Sequence, residues 1–162
     1  DKPSLQELEA NSREQALLMA KGGCDLIMLE MLIDIDRLLA CIDGAVASDL
    51  PVWAGISLQP KNGKMCLLNG ESLEDTLDAI KGKNVPLLNI MHTEVDHIDA
   101  ALDIVQSSWD GAIGVYAHTC KFSDDNTRAI FDDTISPRGL RQSSAAMAGS
   151  RRADHRRLLW CA

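Results

Sequence analysis

The sequence predicts an α/β fold built on a parallel sheet, and three observations carry that expectation. Short apolar runs alternate with segments of helical period, as consecutive βα units do. The four runs are apolar almost throughout rather than at every second residue, so both faces of their sheet need covering, which crossover helices provide. Finally, Glu30, Ser57, His92 and His118 stand at the carboxyl ends of those runs, where the loops of parallel α/β folds gather and polar residues line the site.

Taken in order, Leu5, Leu8, Ala16, Leu17 and Ala20 fall near one helical face, and Gly22-Gly23 ends that helix. The chain starts with Asp1, and residues 3–14 already read as a helix opening, so it is expected to begin inside a longer protein. Residues 25–30 form the first strand. Residues 33–47 form the second helix, with Leu38, Leu39, Ile42 and Val46 on its apolar side, and Asp49-Leu-Pro51 stops it. A second strand covers 52–58. Residues 59–70, turning at Lys61-Asn-Gly-Lys64, form a loop longer than a βα connection needs. Ser72 and the acids after it start a helix to about Lys81, because a serine hydroxyl and carboxylates suit exposed N-terminal amides. The third strand is 85–91 with His92-Thr93 at its end, followed by a helix over 95–105 and a fourth strand over 112–116.

Composition narrows the function classes. At 162 residues, 46% hydrophobic and 4% aromatic, the chain reads as one soluble domain. No apolar run approaches the roughly 18 residues of a membrane span, and no secretory signal opens the chain, so a cytoplasmic protein is expected. Residues 1–137 hold 10 Lys/Arg against 23 Asp/Glu, a net −13, whereas 138–162 hold six Arg against one Asp, a net +5. The acidic body argues against nucleic acid as a partner. Cysteines 24, 41, 66, 120 and 161 include no Cys-x-x-Cys pair, and most of them are read as reduced and structural.

Four motifs in register carry a resemblance: Gly23-Cys-Asp-Leu-Ile-Met-Leu-Glu-Met31, Pro51-Val-Trp53, Leu68-Asn-Gly-Glu-Ser-Leu73 and Gly114-Val-Tyr116. Over about residues 5–137 the chain resembles the homocysteine S-methyltransferase family. The resemblance implies a partial (β/α)₈ TIM barrel, about its C-terminal half, with four clear βα units. It also implies zinc as cofactor, held by one cysteine after the sixth strand and an adjacent pair after the eighth, and homocysteine plus a methyl donor as small-molecule partners. Zinc lowers the pKa of a bound thiol, so a thiolate is available at neutral pH. Glu30 matches the position that holds the homocysteine amino group. Ser57 and His118 are the other candidate substrate contacts, and no residue is assigned a catalytic role. A solvated or helix-capping acid is the plain reading of Glu30.

Two departures qualify this. Where the family shows Asn-Cys-Thr, the chain has Met91-His92-Thr93, so His92 takes the place of the first zinc cysteine. Imidazole is an accepted zinc ligand; alternatively His92 bonds substrate or loop and no zinc is held. His97, on a helix, reads as a surface residue. The second departure is residues 138–162, where the expected eighth strand and Gly-Gly-Cys-Cys-Gly motif are replaced by an arginine-rich tail. That tail reads as coding DNA in a shifted frame. With suitable codons, Asp154-His-Arg-Arg-Leu-Leu-Trp-Cys-Ala162 becomes Ile-Ile-Gly-Gly-Cys-Cys-Gly-Ala one base later. The fragment is therefore expected to be inactive by itself, with Cys161 no zinc ligand. Rival readings are a genuine divergent tail, a zinc-free barrel enzyme such as a lyase using Glu30 and His92 as acid and base, and a non-catalytic remnant. The methyl donor (betaine, S-methylmethionine or a folate) and the oligomeric state are left open.

Overall fold

Helix α1 (Leu5–Lys21) starts where the sequence caps it: Ser4 Oγ accepts from Glu7 N, and Glu7 Oε2 accepts from Ser4 N at 2.9 Å. The computed structural model describes residues 2–118, 121–122, 129–130, 138–139 and 158–160. Strand β1 (Ile27–Leu32) lies two residues beyond the expected 25–30. Its ladder starts where Ile27 meets Val52, the first residue after Pro51. Helix α2 (Ile35–Ala45) begins later than expected because Asp34 Oδ1 caps Arg37 N at 2.8 Å. A 3₁₀ turn over Val46–Ser48 then ends at Asp49, whose φ of 58° breaks the helix.

The expected loop over 59–70 is largely a hairpin. Strand β2 (Val52–Lys61) runs on, turns at Asn62-Gly63 with φ of 51° and 76°, and returns as antiparallel β3 (Lys64–Leu67). Two consecutive positive φ values are what a two-residue hairpin turn requires, and Asn-Gly supplies them cheaply. Helix α3 (Leu73–Ile80), capped by Ser72 Oγ, is followed by β4 (Leu87–Glu94), α4 (Val95–Ser108) and β5 (Ala112–His118). Lys121–Phe122 (β6) pairs antiparallel with Ala129–Ile130 (β7), and Leu158–Trp160 (β8) lies parallel to β5. The reading of 138–162 as a frame-shifted tail falls, apart from residues 138–139 and 158–160, outside the described residues.

The order β1-β2-β4-β5-β8 is parallel throughout, with β3 appended to β2, so the fold is α/β as expected. Alternation sorts the sheet into two faces. Ala54, Ile56, Leu88, Ile90, Ile113 and Val115 pack under the helices against Leu38, Ile42, Leu77, Ile98 and Leu102, all but fully buried. The opposite, inner face carries Glu30, Ser57, Asn89, Met91, Tyr116 and His118. The predicted site residues thus fall on the face away from the helices.

The hairpin is tied to α2 through Glu71. Its Oε2 accepts from Ile35 N and from Asn69 Nδ2, both at 2.7 Å. Glu71→Ala strips the acceptor from a helix N-terminal amide and frees the loop. It is expected to cost about 1–2 kcal/mol in urea unfolding, in the range of a lost helix cap, with faster amide exchange at Ile35. Unchanged exchange there would show that the tie is not stabilising. Lys83 Nζ also meets both oxygens of Asp43, at 2.7 and 2.8 Å. That pair is one-third to two-fifths exposed, and such pairs contribute little.

Candidate functional site

Two strands change course at their carboxyl ends. On β1 the ladder passes from Leu29↔Ala54 to Leu32↔Ile56, so Glu30 and Met31 fall in a bulge, with Met31 at a φ of 55°. On β4 it passes from Met91↔Tyr116 to Glu94↔His118, and here His92 takes a φ of 48°. Both left-handed residues carry a side chain, a conformation that costs of order 1–3 kcal/mol and clusters where function needs a side chain re-aimed.

On β4 the re-aiming is visible. Met91 points to the inner face, its Sδ lying over Gly55, where a Cβ would meet the sulfur at 2.1 Å. Strict alternation would send His92 to the helix side. Instead its ring meets Tyr116 edge-on, with centroids 5.5 Å apart and an interplanar angle of 80°. The His118 ring lies 6.4 Å away. The bulge therefore places two consecutive residues, Met91 and His92, toward one side of the sheet.

Thr93 repairs the ladder that the bulge interrupts. It is fully buried, accepting from Leu58 N and donating to Met91 O, each at 3.1 Å. Thr93→Val keeps the shape but orphans a buried amide, so a loss of about 1–3 kcal/mol is expected. Thermal melting tests this, and a Val variant as stable as wild type would mean the bulge needs no side-chain acceptor.

Burial holds the His118 imidazole below its usual pKa, His92 pushes it the same way, and Glu94 opposes both. At neutral pH it is a neutral base. Glu94 also faces His97, Nε2 to Oε2 3.7 Å. His97, on α4, keeps about a third of its side chain exposed, in keeping with a surface reading.

Each predicted residue lies at the carboxyl end, yet they are not all neighbours. His92 and His118 come together, with Tyr116 as a third member that sequence reasoning passed over. Glu30 is exposed on β1, with β2 between it and β4. Ser57 on β2 is fully buried and its Oγ has no hydrogen-bond partner among the described residues. Asn89, also passed over, is 2% exposed, and its Oδ1 has no hydrogen-bond partner among the described residues. Its one signal was an amide inside an apolar strand.

The zinc that the resemblance implies needs a set of three or more protein donors. Among the described residues no three of His, Cys, Asp or Glu are grouped to hold a metal ion. His92 and His118 offer at most two nitrogens, and a structural or catalytic zinc takes at least three protein ligands. Cys120 and Cys161 lie outside the described residues. The described set does not fit zinc by itself. Cys24, Cys41 and Cys66 are free thiols, the first exposed, the second half-buried and the third buried. No helix among the described residues is long and apolar enough to cross a membrane.

Comparison with known proteins adds the following. A family model described as homocysteine S-methyltransferase matches residues 1–150. No curated protein sequence matches significantly. Among solved structures, the oxidised form of the homocysteine methyltransferase MmuM from Escherichia coli aligns with a TM-score of 0.69 at 20% identity, covering 99% of this chain and 48% of that one. Its metallated form aligns at 0.65 and 21%, covering 74% and 41%. The carboxyl transferase domain of Rhizobium etli pyruvate carboxylase, with 3-bromopyruvate, aligns at 0.58 and 11%, covering 96% and 24%. At these identities the likeness is one of fold. The chain spans less than half the length of the methyltransferase structures it matches.

Proposed function

Because the chain belongs to the homocysteine S-methyltransferase family, we propose that it carries part of a site for methyl transfer to the thiol of homocysteine. The observation that supports this most is convergence: Glu30, Ser57, His92 and His118 all stand at the carboxyl end of one parallel sheet in a chain that matches the family. In the proposed reaction the substrate thiol loses its proton and its sulfur attacks the donor methyl. A new S–C bond forms as the donor's C–S or C–N bond breaks, and the donor leaves with that electron pair as a neutral sulfide or amine. Glu30 holds the substrate ammonium by charge. Ser57 is a further substrate contact. The thiol is presented to His92 and His118, of which His118, kept neutral by burial, accepts its proton.

The acid–base reading that pairs Glu30 with His92 finds less support, because the partners of His92 are Tyr116 and His118 while Glu30 stands across β2. Zinc, if the intact site uses it, would activate the thiol. We assign it no step, because the described donors do not complete a ligand set. We propose further that this polypeptide does not turn over alone, and that the tail from residue 138 is a shifted reading of the family's cysteine motif.

The test compares the chain as written with a variant whose residues 154–161 read Ile-Ile-Gly-Gly-Cys-Cys-Gly-Ala. Bound zinc, L-homocysteine affinity and methionine formation from S-methylmethionine or betaine are measured for both. The expected result is L-homocysteine binding by both chains, stoichiometric zinc only in the variant, and no methionine from the chain as written. Stoichiometric zinc with methionine formation by the written chain would overturn the inactivity and tail proposals. No L-homocysteine binding by either chain would overturn the substrate assignment.

A further inference from the structure

Of the 17 residues of α1 only Ala16 is buried, packed with Ala45 of α2. Among the described residues, seven large hydrophobic side chains are exposed, and four of them, Leu5, Leu17, Leu18 and Met19, belong to this one helix. Leu17 and Leu18, 47% and 62% exposed, line an open groove together with Glu14 and Lys21. Those four stand at i, i+3, i+4 and i+7, so they form one stripe about two turns long. An exposed apolar stripe rimmed by charge marks a surface that docks against another.

The charges of the stripe are unspent. Arg13, the other base of α1, is paired with Glu9 at 3.0 Å, whereas neither Glu14 nor Lys21 has an ion-pair partner among the described residues. Within one copy they cannot meet: seven residues of helix put them about 10 Å apart along the axis. Their order, acid, leucine, leucine, base, instead complements itself. About a two-fold axis between Leu17 and Leu18, an antiparallel second α1 sets Lys21 against Glu14 at one end and Glu14 against Lys21 at the other, with leucine on leucine between them. A parallel pairing would set like charges together. A membrane surface fits less well, because α1 holds Glu7, Glu9 and Glu14 against Arg13 and Lys21, and helices that lie on membranes carry a basic polar face.

We propose that the outer face of α1 is a contact between two copies of this chain, packed antiparallel about a two-fold axis, with two Glu14–Lys21 pairs flanking a leucine centre. A seam of two turns is far smaller than a standard interface of about 1,600 Å², so the dimer is weak and forms at high protein concentration. The contact does not depend on the methyl-transfer reading.

Sedimentation equilibrium of the full chain, in a series reaching about 0.5 mM to suit a small interface, tests this on wild type, Leu18→Glu, Glu14→Lys, Lys21→Glu and the double variant Glu14→Lys with Lys21→Glu. All three positions are exposed, so each variant is expected to keep the wild-type circular dichroism and melting curve. Wild type is expected to show a monomer–dimer equilibrium and Leu18→Glu to be monomeric. Each single charge variant faces like charges across the axis and should dimerise about tenfold more weakly or worse. The double variant, with the net charge of wild type, should regain wild-type affinity. The proposal is overturned if wild type stays monomeric throughout, which would leave the stripe to a different partner, or if Leu18→Glu associates as wild type does. It is equally overturned if the double variant associates no better than the single ones, which would make the contact an unspecific apolar one.

Discussion

Gly44→Val is expected to destabilise the chain by more than about 3 kcal/mol, a large share of what a domain of this size holds. An isolated helix predicts the opposite sign, since glycine in a helix interior costs about 1 kcal/mol relative to alanine. Contact decides it. A Cβ on Gly44 in α2 would lie 2.4 Å from Glu9 O, 2.8 Å from Ser12 Cβ and 2.9 Å from Arg13 N, all on α1. Two of those three atoms are backbone and cannot swing aside, so α1 must retreat as a unit. Retreat would break the Ser12 Oγ to Cys41 O hydrogen bond, 2.8 Å long, and uncover the small cluster of Ala16, Ile27, Ala45 and Val52. Overpacking costs run from about 1 to 3 kcal/mol when side chains can adjust, and more when they cannot. Urea unfolding of Gly44→Ala and Gly44→Val measures it: stability should fall with each added carbon. A Val variant as stable as wild type would mean that the two helices are not held in this close contact.

That glycine also shows where the sequence stops speaking. Within α2 it reads as an ordinary weak helix residue, because the reason for it lies at Glu9, Ser12 and Arg13, 31 to 35 positions earlier in the chain. Local signals fared better. The period of Leu38, Leu39 and Ile42, the Ser72 cap and the continuous apolarity of residues 85–91 each report on their own segment, and each marks an element that formed. Asn62-Gly63 was visible as a turn, but its meaning as a hairpin depended on Met65, Cys66 and Leu67 burying themselves beside β2.

The site divides the same way. Glu30, Ser57, His92 and His118 were legible because strand ends collect polar residues in this fold class. The bulges were not, since neither Met31 nor His92 is a residue type that announces a positive φ. Without the bulge on β4, His92 would be placed by alternation on the helix side, and its contact with Tyr116 and His118 would be missed. Asn89 was hidden by its company, one amide between Leu87-Leu88 and Ile90-Met91.

The second large effect concerns Glu30. Glu30→Ala is expected to weaken L-homocysteine binding by about tenfold to a hundredfold, because hydrogen bonds to charged groups are worth about 1.5–3 kcal/mol. Glu30→Gln, which keeps an acceptor and loses the charge, should fall between Ala and wild type. Folding should be nearly untouched: the side chain is exposed, and surface substitutions usually stay within about 0.5 kcal/mol. That separation makes the measurement informative, since weaker binding cannot then be blamed on a damaged fold. The sharper form is a cycle with 4-mercaptobutanoate, which is homocysteine without its amino group. If Glu30 acts on the ammonium, wild type and Glu30→Ala should bind this analogue alike, and the whole loss should appear with homocysteine alone. An equal loss for both ligands would place Glu30 on the carboxylate or thiol side, or reduce it to a field effect of the acidic body. Homocysteine affinity within twofold of wild type in the Ala variant would return Glu30 to the status of a solvated strand-end acid.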